Sequence, residues 1–344
     1  MFQKVNLLLS KRKYNNISTM NVKIIGLLTL TIFSSQLGIC QEKKVPEKWA
    51  IAIHGGAGGS ASLSDEKKKE YEKHLLAALK IGTEMLSRGE SSLNTVQTVV
   101  VYLEDCPLFN AGKGAVLNIE GIHELDAAIM DGSNLKAGAI AGVRDIKNPI
   151  KTARLVMDST QHVLLIGEGA SAFAKSQGEA IVENSYFSTK ERIEQINSIK
   201  TQKEHPDPRG TVGCVALDSR GNLAAATSTG GMSGKKWGRV GDVPIIGAGT
   251  YANNTVAVSG TGHGELWIRR VVAYDISALM EYKGLSLEQA AREVIFNKID
   301  PMGGSGGGII AVDRFGNISM VFNTQMMHRA WAKESGDHGV GILK

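Results

Sequence analysis

The chain has 344 residues, 42% hydrophobic and 21% charged, a globular composition that argues against disorder and allows a large dry core. Its formal charge of +5 suggests at first a nucleic-acid or membrane-surface partner. However, Lys4, Lys11, Arg12, Lys13 and Lys23 crowd residues 1–40 with no acidic residue, and taking those five from 39 leaves 34 basic residues against 34 acidic ones. The rest of the chain is formally neutral, and a nucleic-acid partner is set aside. What remains unusual is glycine, 40 residues against only 7 prolines.

In chain order, a basic stretch, an apolar run over residues 24–33 and small residues before Cys40-Gln41 have the layout of a secretory signal. The run is about half the ~20 residues that a membrane-spanning helix needs, so no membrane span is expected. Cleavage after Cys40, with Gly38 at −3, predicts residues 1–40 as a signal peptide and an exported protein, periplasmic or secreted if the source is bacterial. Met20 is an alternative start, and a lipid anchor on Cys40 is disfavoured by the bulk of Ile39. Cys106 and Cys214 are then the remaining cysteines, too few for a disulfide framework, with two unpaired buried thiols as the default and a pairing left open.

Residues 48–54 alternate as a strand and run into the glycine turn His54-Gly55-Gly56-Ala57-Gly58-Gly59. Ser64, Asp65, Glu66 and Gly89 bracket a helix over residues 64–88, and a second covers residues 92–104, stopping before Pro107. A compact loop (103–114), short strands near 115–117 and 123–130, and a strand over 137–143 follow. Helices are expected at 150–158 and 170–175, with a buried strand at 162–166 between them. Residues 197–210 (NSIKTQKEHPDPRG) lack an apolar period and read as a linker. Beyond it, short strands are expected at 211–217, 223–229, 243–246 and 255–259, helices at 265–282 and 286–297, and closing strands at 308–312 and 318–322. The turn Asp218-Ser219-Arg220-Gly221-Asn222 is echoed by Asp313-Arg314-Phe315-Gly316-Asn317, two similar hairpins flanking two helices. This points to layered α and β with much antiparallel sheet, not to β-α-β alternation.

Familiar motifs fail in context. Gly247-Ala248-Gly249-Thr250-Tyr251-Ala252 fits a dinucleotide loop but is followed by a β-branched run where a helix is required. Residues 230–236 lack the first glycine and the hydroxyl residue of a phosphate loop, and the eight histidines show no metal spacing. The chemistry instead gathers after the linker. A threonine hydroxyl is a weak nucleophile without an adjacent base, and its own α-amine can serve once it is a chain terminus; that amine, with a pKa near 8, is substantially neutral near neutral pH. Cleavage between Gly210 and Thr211 would supply it. Polar clusters follow at Ser228-Thr229-Gly230-Gly231, at Gly238-Arg239-Val240-Gly241-Asp242 and at Gly260-Thr261-Gly262-His263-Gly264-Glu265. Arg239 can grip a carboxylate and Asp242 an ammonium, together an amino-acid backbone; Thr261 and the Gly262 N–H can face an oxyanion. The ordinary alternatives are a surface ion pair and a helix cap.

With Thr211-Val212-Gly213, these clusters resemble the plant-type (type III) L-asparaginase and isoaspartyl peptidase family of N-terminal-nucleophile (Ntn) hydrolases. The N-terminal half agrees through His54-Gly55-Gly56-Ala57-Gly58, residues 103–114 (LEDCPLFNAGKG) and 124–132 (ELDAAIMDG), so the resemblance spans about residue 48 to the C-terminus. It implies an α+β fold, a four-layer αββα sandwich, cut at Gly210–Thr211 into an α subunit (41–210) and a β subunit (211–344), and a homodimer of cleaved protomers, (αβ)2. It implies Thr211 as nucleophile and its own base, Thr229 orienting it, Asn110 helping to position it, and Thr261 and Gly262 as the oxyanion hole. Arg239 would hold the substrate α-carboxylate, and Asp242 with the Gly264 carbonyl the α-amine. No cofactor is implied for catalysis; a structural sodium ion would sit on main-chain oxygens of Leu103, Glu104, Cys106, Phe109, Ala111 and Lys113. The expected substrates are small β-aspartyl peptides and L-asparagine. A glycosylasparaginase-like amidase, which has Asp before the nucleophile where this chain has Gly210, and an uncut, non-catalytic binding protein are the alternatives.

Overall fold

The computed structural model describes residues 47–58, 63–201, 210–303 and 306–344. The expected signal peptide, with Cys40, lies outside these residues, as do positions 202–209 of the expected linker. The first strand, β1 (Ala50–Ala57), is buried along its whole length, so both of its faces are covered. Helix α1 (Asp65–Ser87) starts where Ser64 accepts the Lys67 N–H and stops before Gly89, whose φ of +81° no β-carbon favours. Ser91 caps α2 (Ser92–Asp105) in the same way. Strands β2 (Leu125–Asp131) and β3 (Ala137–Val143), helix α3 (Pro149–Ser159), strand β4 (Leu164–Ile166), helix α4 (Gly167–Ser176) and helix α5 (Lys190–Lys200) complete the part before Gly210.

After it come β5 (Val212–Leu217), β6 (Leu223–Thr229), β7 (Thr250–Ala252), β8 (Val256–Gly262), α6 (Gly264–Arg270), α7 (Val272–Lys283), α8 (Leu287–Arg292), β9 (Gly307–Asp313), β10 (Ile318–Ser319), β11 (Met326–Lys333) and β12 (His338–Leu343). The strands form an eight-stranded sheet in the order β12-β11-β1-β5-β6-β2-β3-β4 and a four-stranded sheet β10-β9-β8-β7. All pairings are antiparallel except β3 with β4. This is a mixed α+β protein. Three apolar cores hold it together. One joins Leu75, Val99 and Val156 of the early helices to Ile51 and Ile129 of the large sheet. A second joins Trp267, Ile276 and Val294 to Val258 and Ile309 of the small sheet. The third contains Ala52, Val215 and Ala225 from the large sheet with Ala257, Ile310 and Val312 from the small one. Small side chains dominate this last core and let two main chains approach closely.

Both echoed hairpins form. Asp218 Oδ1 accepts the N–H groups of Arg220 and Asn222, each at 3.0 Å, and Asp313 Oδ1 accepts those of Phe315 and Asn317, each at 2.9 Å. Gly221 and Gly316 take positive φ at matching places. Several expectations are corrected. The strand near 162–166 is not buried: β4 is a sheet edge, with Leu164 38% and Ile166 66% exposed. Residues 243–246 form no strand beyond a single bridge from Ile246 to Thr250. The helix expected at 286–297 is α8 followed by a π-helical turn, Glu293–Ile299. Helix α5 takes in residues 197–200, and β11 and β12, which apolar alternation did not reveal, extend the large sheet past β1.

The helix expected over 265–282 is broken at Val271, which sits at φ 50°, ψ 50° between α6 and α7. A β-branched residue in this left-handed region stores about 1–3 kcal/mol. Val271 is 42% exposed, so little burial is lost on replacing it. Val271→Asn, which tolerates that backbone, is therefore expected to raise stability by about 1 kcal/mol. A thermal melt should move upward by ~2 °C; an unchanged or lower midpoint would show that Val271 is not strained in solution.

Candidate active site

Thr211 lies immediately before β5 and its placement follows from the hairpin. The Asp218 turn sets the register Val212↔Ser228, which puts Thr211 across from Thr229. Their hydroxyl oxygens are 3.0 Å apart, and Thr229 Oγ1 also accepts the Gly231 N–H at 2.9 Å. With that donor fixed, Thr229 is free to donate its own proton to Thr211. On the other side, Gly210 (φ +113°) presses against Asn110, whose N–H donates to the Gly210 carbonyl at 3.0 Å. A β-carbon at Gly56 (φ +111°) would stand 2.4 Å from the Gly210 α-carbon. Only glycine at both places lets the β1 turn touch the Gly210–Thr211 junction. The Asn110 side chain does not reach the Thr211 hydroxyl; it donates to the Gly231 carbonyl at 2.8 Å and accepts the Val116 N–H at 2.8 Å. It locks the loops on either side of the threonine pair.

Arg239, Asp242 and Gly264 also come together. A β-carbon at Gly264 would meet Arg239 Nη2 at 2.6 Å and Asp242 Oδ1 at 2.9 Å, so a side chain there would invade the pair. Arg239, however, makes its two-pronged ion pair with Glu265, through Nε and Nη2, each at 2.9 Å. Its Nη1 is left toward Gly231 and Gly241. Asp242 is buried, and its Oδ2 is without a hydrogen-bond partner among the described residues. Burial pushes the Asp242 pKa up to about 7, partly offset by the nearby Arg239 charge. Burial likewise raises the Asp126 carboxyl and lowers the Lys235 ammonium, which approaches Gly231 alongside Arg239 and donates to the Glu124 carbonyl at 2.8 Å. Buried, poorly solvated charges thus gather around Arg239 and Asp242, a frequent setting for ligand recognition.

The last residues of β8 bring up Thr261 and Gly262. Thr261 Oγ1 accepts the Ala57 N–H at 3.1 Å, leaving its hydroxyl proton free to donate elsewhere. Gly262 has no room for a side chain, with the Gly306 carbonyl and the Trp267 ring each 2.8 Å from a built β-carbon. Both stand one strand end away from the glycine turn that touches Gly210. A polar chain missed by motif reading lies behind them: His54, Ser259, Thr227 and Thr250, all fully buried and hydrogen-bonded in series. The signal available for it was the polar Ser259 and Thr227 inside otherwise apolar strands. Glu265 was part of a noted cluster but without a role; its place in the first turn of α6, beside Arg239, emerges only in three dimensions.

The loop after α2 bears on the expected sodium site. Main-chain oxygens turn inward there: built β-carbons would stand 2.4 Å from the Glu104 oxygen at Gly112, and 2.3 and 2.8 Å from the Pro107 and Phe109 oxygens at Gly114. Uncharged oxygens around a glycine-shaped cradle suit a hard monovalent cation. The Lys113 ammonium points away from the cradle, donating to the Tyr186 carbonyl at 2.6 Å, so it does not repel an ion there. Leu103 O and Glu104 O each already accept one N–H, from Cys106 and Lys113, and keep one lone pair. The residues fit such an ion. Cys106 and Cys214 are buried and unpaired.

Residues 47–342 match the model of a family described as asparaginase. The chain is 50% identical over 311 residues to an isoaspartyl peptidase of Salmonella typhimurium, covering 86% of this chain and 99% of that protein. It is 49% identical over 311 residues to an isoaspartyl peptidase of Escherichia coli, covering 86% and 97%. It is 41% identical over 302 residues to a plant-type L-asparaginase of Pyrococcus horikoshii, covering 83% and 96%.

Proposed function

The chain belongs to the asparaginase family, and from that premise we propose that it is an isoaspartyl peptidase with L-asparaginase activity that matures by cutting its own Gly210–Thr211 bond. The observation that carries the reading is the Thr211–Thr229 hydroxyl pair, 3.0 Å apart, at a strand start directly behind a glycine in a tight, positive-φ conformation.

In the cut protein the Thr211 α-amine takes the Oγ1 proton as Oγ1 attacks the β-carbonyl of the substrate. Thr229 donates to Oγ1 and holds its direction. The carbonyl oxygen gains charge facing the Thr261 hydroxyl and the Gly262 N–H. The C–N bond then breaks, the departing amine takes the proton, and a β-aspartyl ester of Thr211 remains. Water, deprotonated by the same amine, breaks that ester and frees aspartate. Arg239 Nη1 and the free N–H of Nη2 hold the substrate α-carboxylate beside the fork already given to Glu265, and Asp242 with the Gly264 carbonyl holds the α-ammonium. Asn110 positions the loops around the nucleophile. A sodium ion on main-chain oxygens of Leu103, Glu104, Cys106, Phe109, Ala111 and Lys113 would stiffen the loop that carries Asn110. The helix and sheet cores are consistent with an αββα stacking of the Ntn type, and we further propose an exported homodimer of cleaved protomers, (αβ)2.

Denaturing electrophoresis tests the central claim: the protein should resolve into a fragment ending at Gly210 and a fragment starting Thr-Val-Gly-Cys. A single band after long incubation, with no turnover of an isoaspartyl dipeptide, would leave the uncut binding protein. Faster turnover of glycosylated asparagine than of either expected substrate would favour the glycosylasparaginase alternative. A pH prediction follows from Asp242. It binds an ammonium only when ionised, so kcat/KM should rise as pH increases through about 7. Asp242→Asn should raise KM and leave only the limb of the Thr211 amine, near pH 8. An unchanged profile would remove Asp242 from the substrate site.

A further inference from the structure

A nucleophile at a chain terminus faces a mechanical problem, because termini fray unless something outside the strand ladder ties them down. Thr211 precedes the first paired residue of β5, Val212. Its hydroxyl contact with Thr229 directs the side chain but does not hold the main chain. The Thr211 carbonyl has one side-chain tie, His54 Nδ1 at 2.9 Å. The other ring nitrogen, Nε2, meets Ser259 Oγ at 2.8 Å; Ser259 Oγ meets Thr227 Oγ1 at 2.8 Å, and Thr250 donates to Thr227 at 2.8 Å.

The directions of these bonds follow from the chemistry of the atoms. A carbonyl only accepts, so Nδ1 carries the ring proton and donates to Thr211. Burial pushes the His54 pKa down to about 3, so the ring is neutral and Nε2 accepts from Ser259. In that tautomer the proton order is Thr227 to Ser259, Ser259 to His54 and His54 to the Thr211 carbonyl, with Thr250 at the head of the chain sharing its one hydroxyl proton between Thr227 and the Val243 carbonyl, 3.1 Å away. Space for the ring is made by Gly213, which pairs with His54 across the β1–β5 ladder. A β-carbon there would lie 2.0 Å from Ser259 Oγ and 2.4 Å from His54 Nε2.

The position of this chain is as informative as its connectivity. Thr211 enters the eight-stranded sheet and Ser259 lies in β8 of the four-stranded sheet, two residues before Thr261. His54 therefore braces the nucleophile's main chain against the strand that ends in the proposed oxyanion donors. Three residues on, the Ala57 N–H donates to Thr261 Oγ1 itself. We propose that His54 is a positioning residue that sets the distance between Thr211 and Thr261, with Ser259, Thr227 and Thr250 holding its ring in position.

The inference rests on Thr211 being the nucleophile, and its test separates the two ideas. In His54→Asn the amide nitrogen takes the place of Nδ1 and keeps the tie to Thr211; in His54→Gln the longer amide takes the place of Nε2, keeping Ser259 satisfied and losing the tie. With rates normalised to the cleaved fraction, His54→Gln is expected to lose about 10- to 100-fold in kcat at unchanged KM, the effect of a reacting group displaced by about 1 Å. His54→Asn should retain kcat within about 3-fold. A thermal melt should not rank the two variants in that order, because Asn leaves a void and takes from Ser259 its Nε2 acceptor, leaving it only the Thr227 contact. Equal kcat for the two variants, or a loss carried by KM, would overturn the proposal. Should both variants fail to fold, Ser259→Ala keeps the ring and removes the hydroxyl that holds Nε2 and so fixes the ring's position. It should lower kcat about 3- to 10-fold at constant KM, and an unchanged kcat would overturn the proposal equally. A wild-type protein that is neither cut nor active would defeat the reading of Thr211 instead.

Discussion

Thr211→Ala is expected to leave the chain as a single uncut band and to lower turnover of an isoaspartyl dipeptide and of L-asparagine by about 10,000-fold or more, the scale seen when a covalent nucleophile is removed. Two functions are lost in one substitution. The hydroxyl that attacks the substrate is gone, and so is the side chain at the Gly210–Thr211 junction that self-cleavage requires. The remaining contacts, Arg239, Asp242 and the β8 end, are untouched, so the uncut variant should still fold. Fold and function are separable here because Thr211 lies outside the strand ladder and the hydrophobic cores. Retained cleavage or more than ~1% of the wild-type rate would exclude Thr211 as nucleophile.

Arg239→Ala has the second largest effect and a different signature. A charge-assisted pair to a guanidinium that is itself largely buried is worth about 2–5 kcal/mol when that partner is truncated, so KM should rise by roughly 30- to 5,000-fold. kcat should change far less, because the guanidinium holds the unreactive end of the substrate in ground state and transition state alike. The truncation also leaves Glu265 with only the His263 ring, 3.3 Å away, beside the buried Asp242, adding like-charge repulsion where an anionic substrate must dock. Arg239→Lys keeps the charge but not the planar fork that serves two carboxylates at once, so it should recover only part of the loss. An unchanged KM in Arg239→Ala would move the carboxylate site elsewhere.

Much of the local structure was legible because its causes are local. Ser64 caps a helix, Gly89 ends it, and the two Asp-x-x-Gly-Asn turns close hairpins, each through contacts within a few residues. The misreadings share a different cause. Strand β4 is apolar yet exposed because its place at a sheet edge is set by pairing with β3, not by its own side chains. Val271 breaks a helix that its neighbours continue, where the Ala273 and Tyr274 N–H groups turn to the Ala248 and Gly247 carbonyls of a distant loop, which the helical period cannot register. Strands β11 and β12 were passed over because β11 is made a strand by pairing with β1, far away in the chain, and β12 by pairing with β11.

The sequence by itself determined the residue types of the candidate site and the family: a threonine behind a glycine, a second threonine one hairpin away, an arginine and an aspartate three residues apart, and a threonine and glycines before a helix. Those groups carry their chemistry wherever they stand, and the hairpin register that joins Thr211 to Thr229 is short enough to be read in one dimension. Only the tertiary structure decided that Glu265 takes one fork of Arg239, that Asp242 is buried enough to titrate near 7, and that His54 ties the Thr211 carbonyl to Ser259. Each of these depends on the solvent excluded and the partner supplied by residues 23 to 205 positions away in the chain, and neither quantity exists until the sheets are assembled.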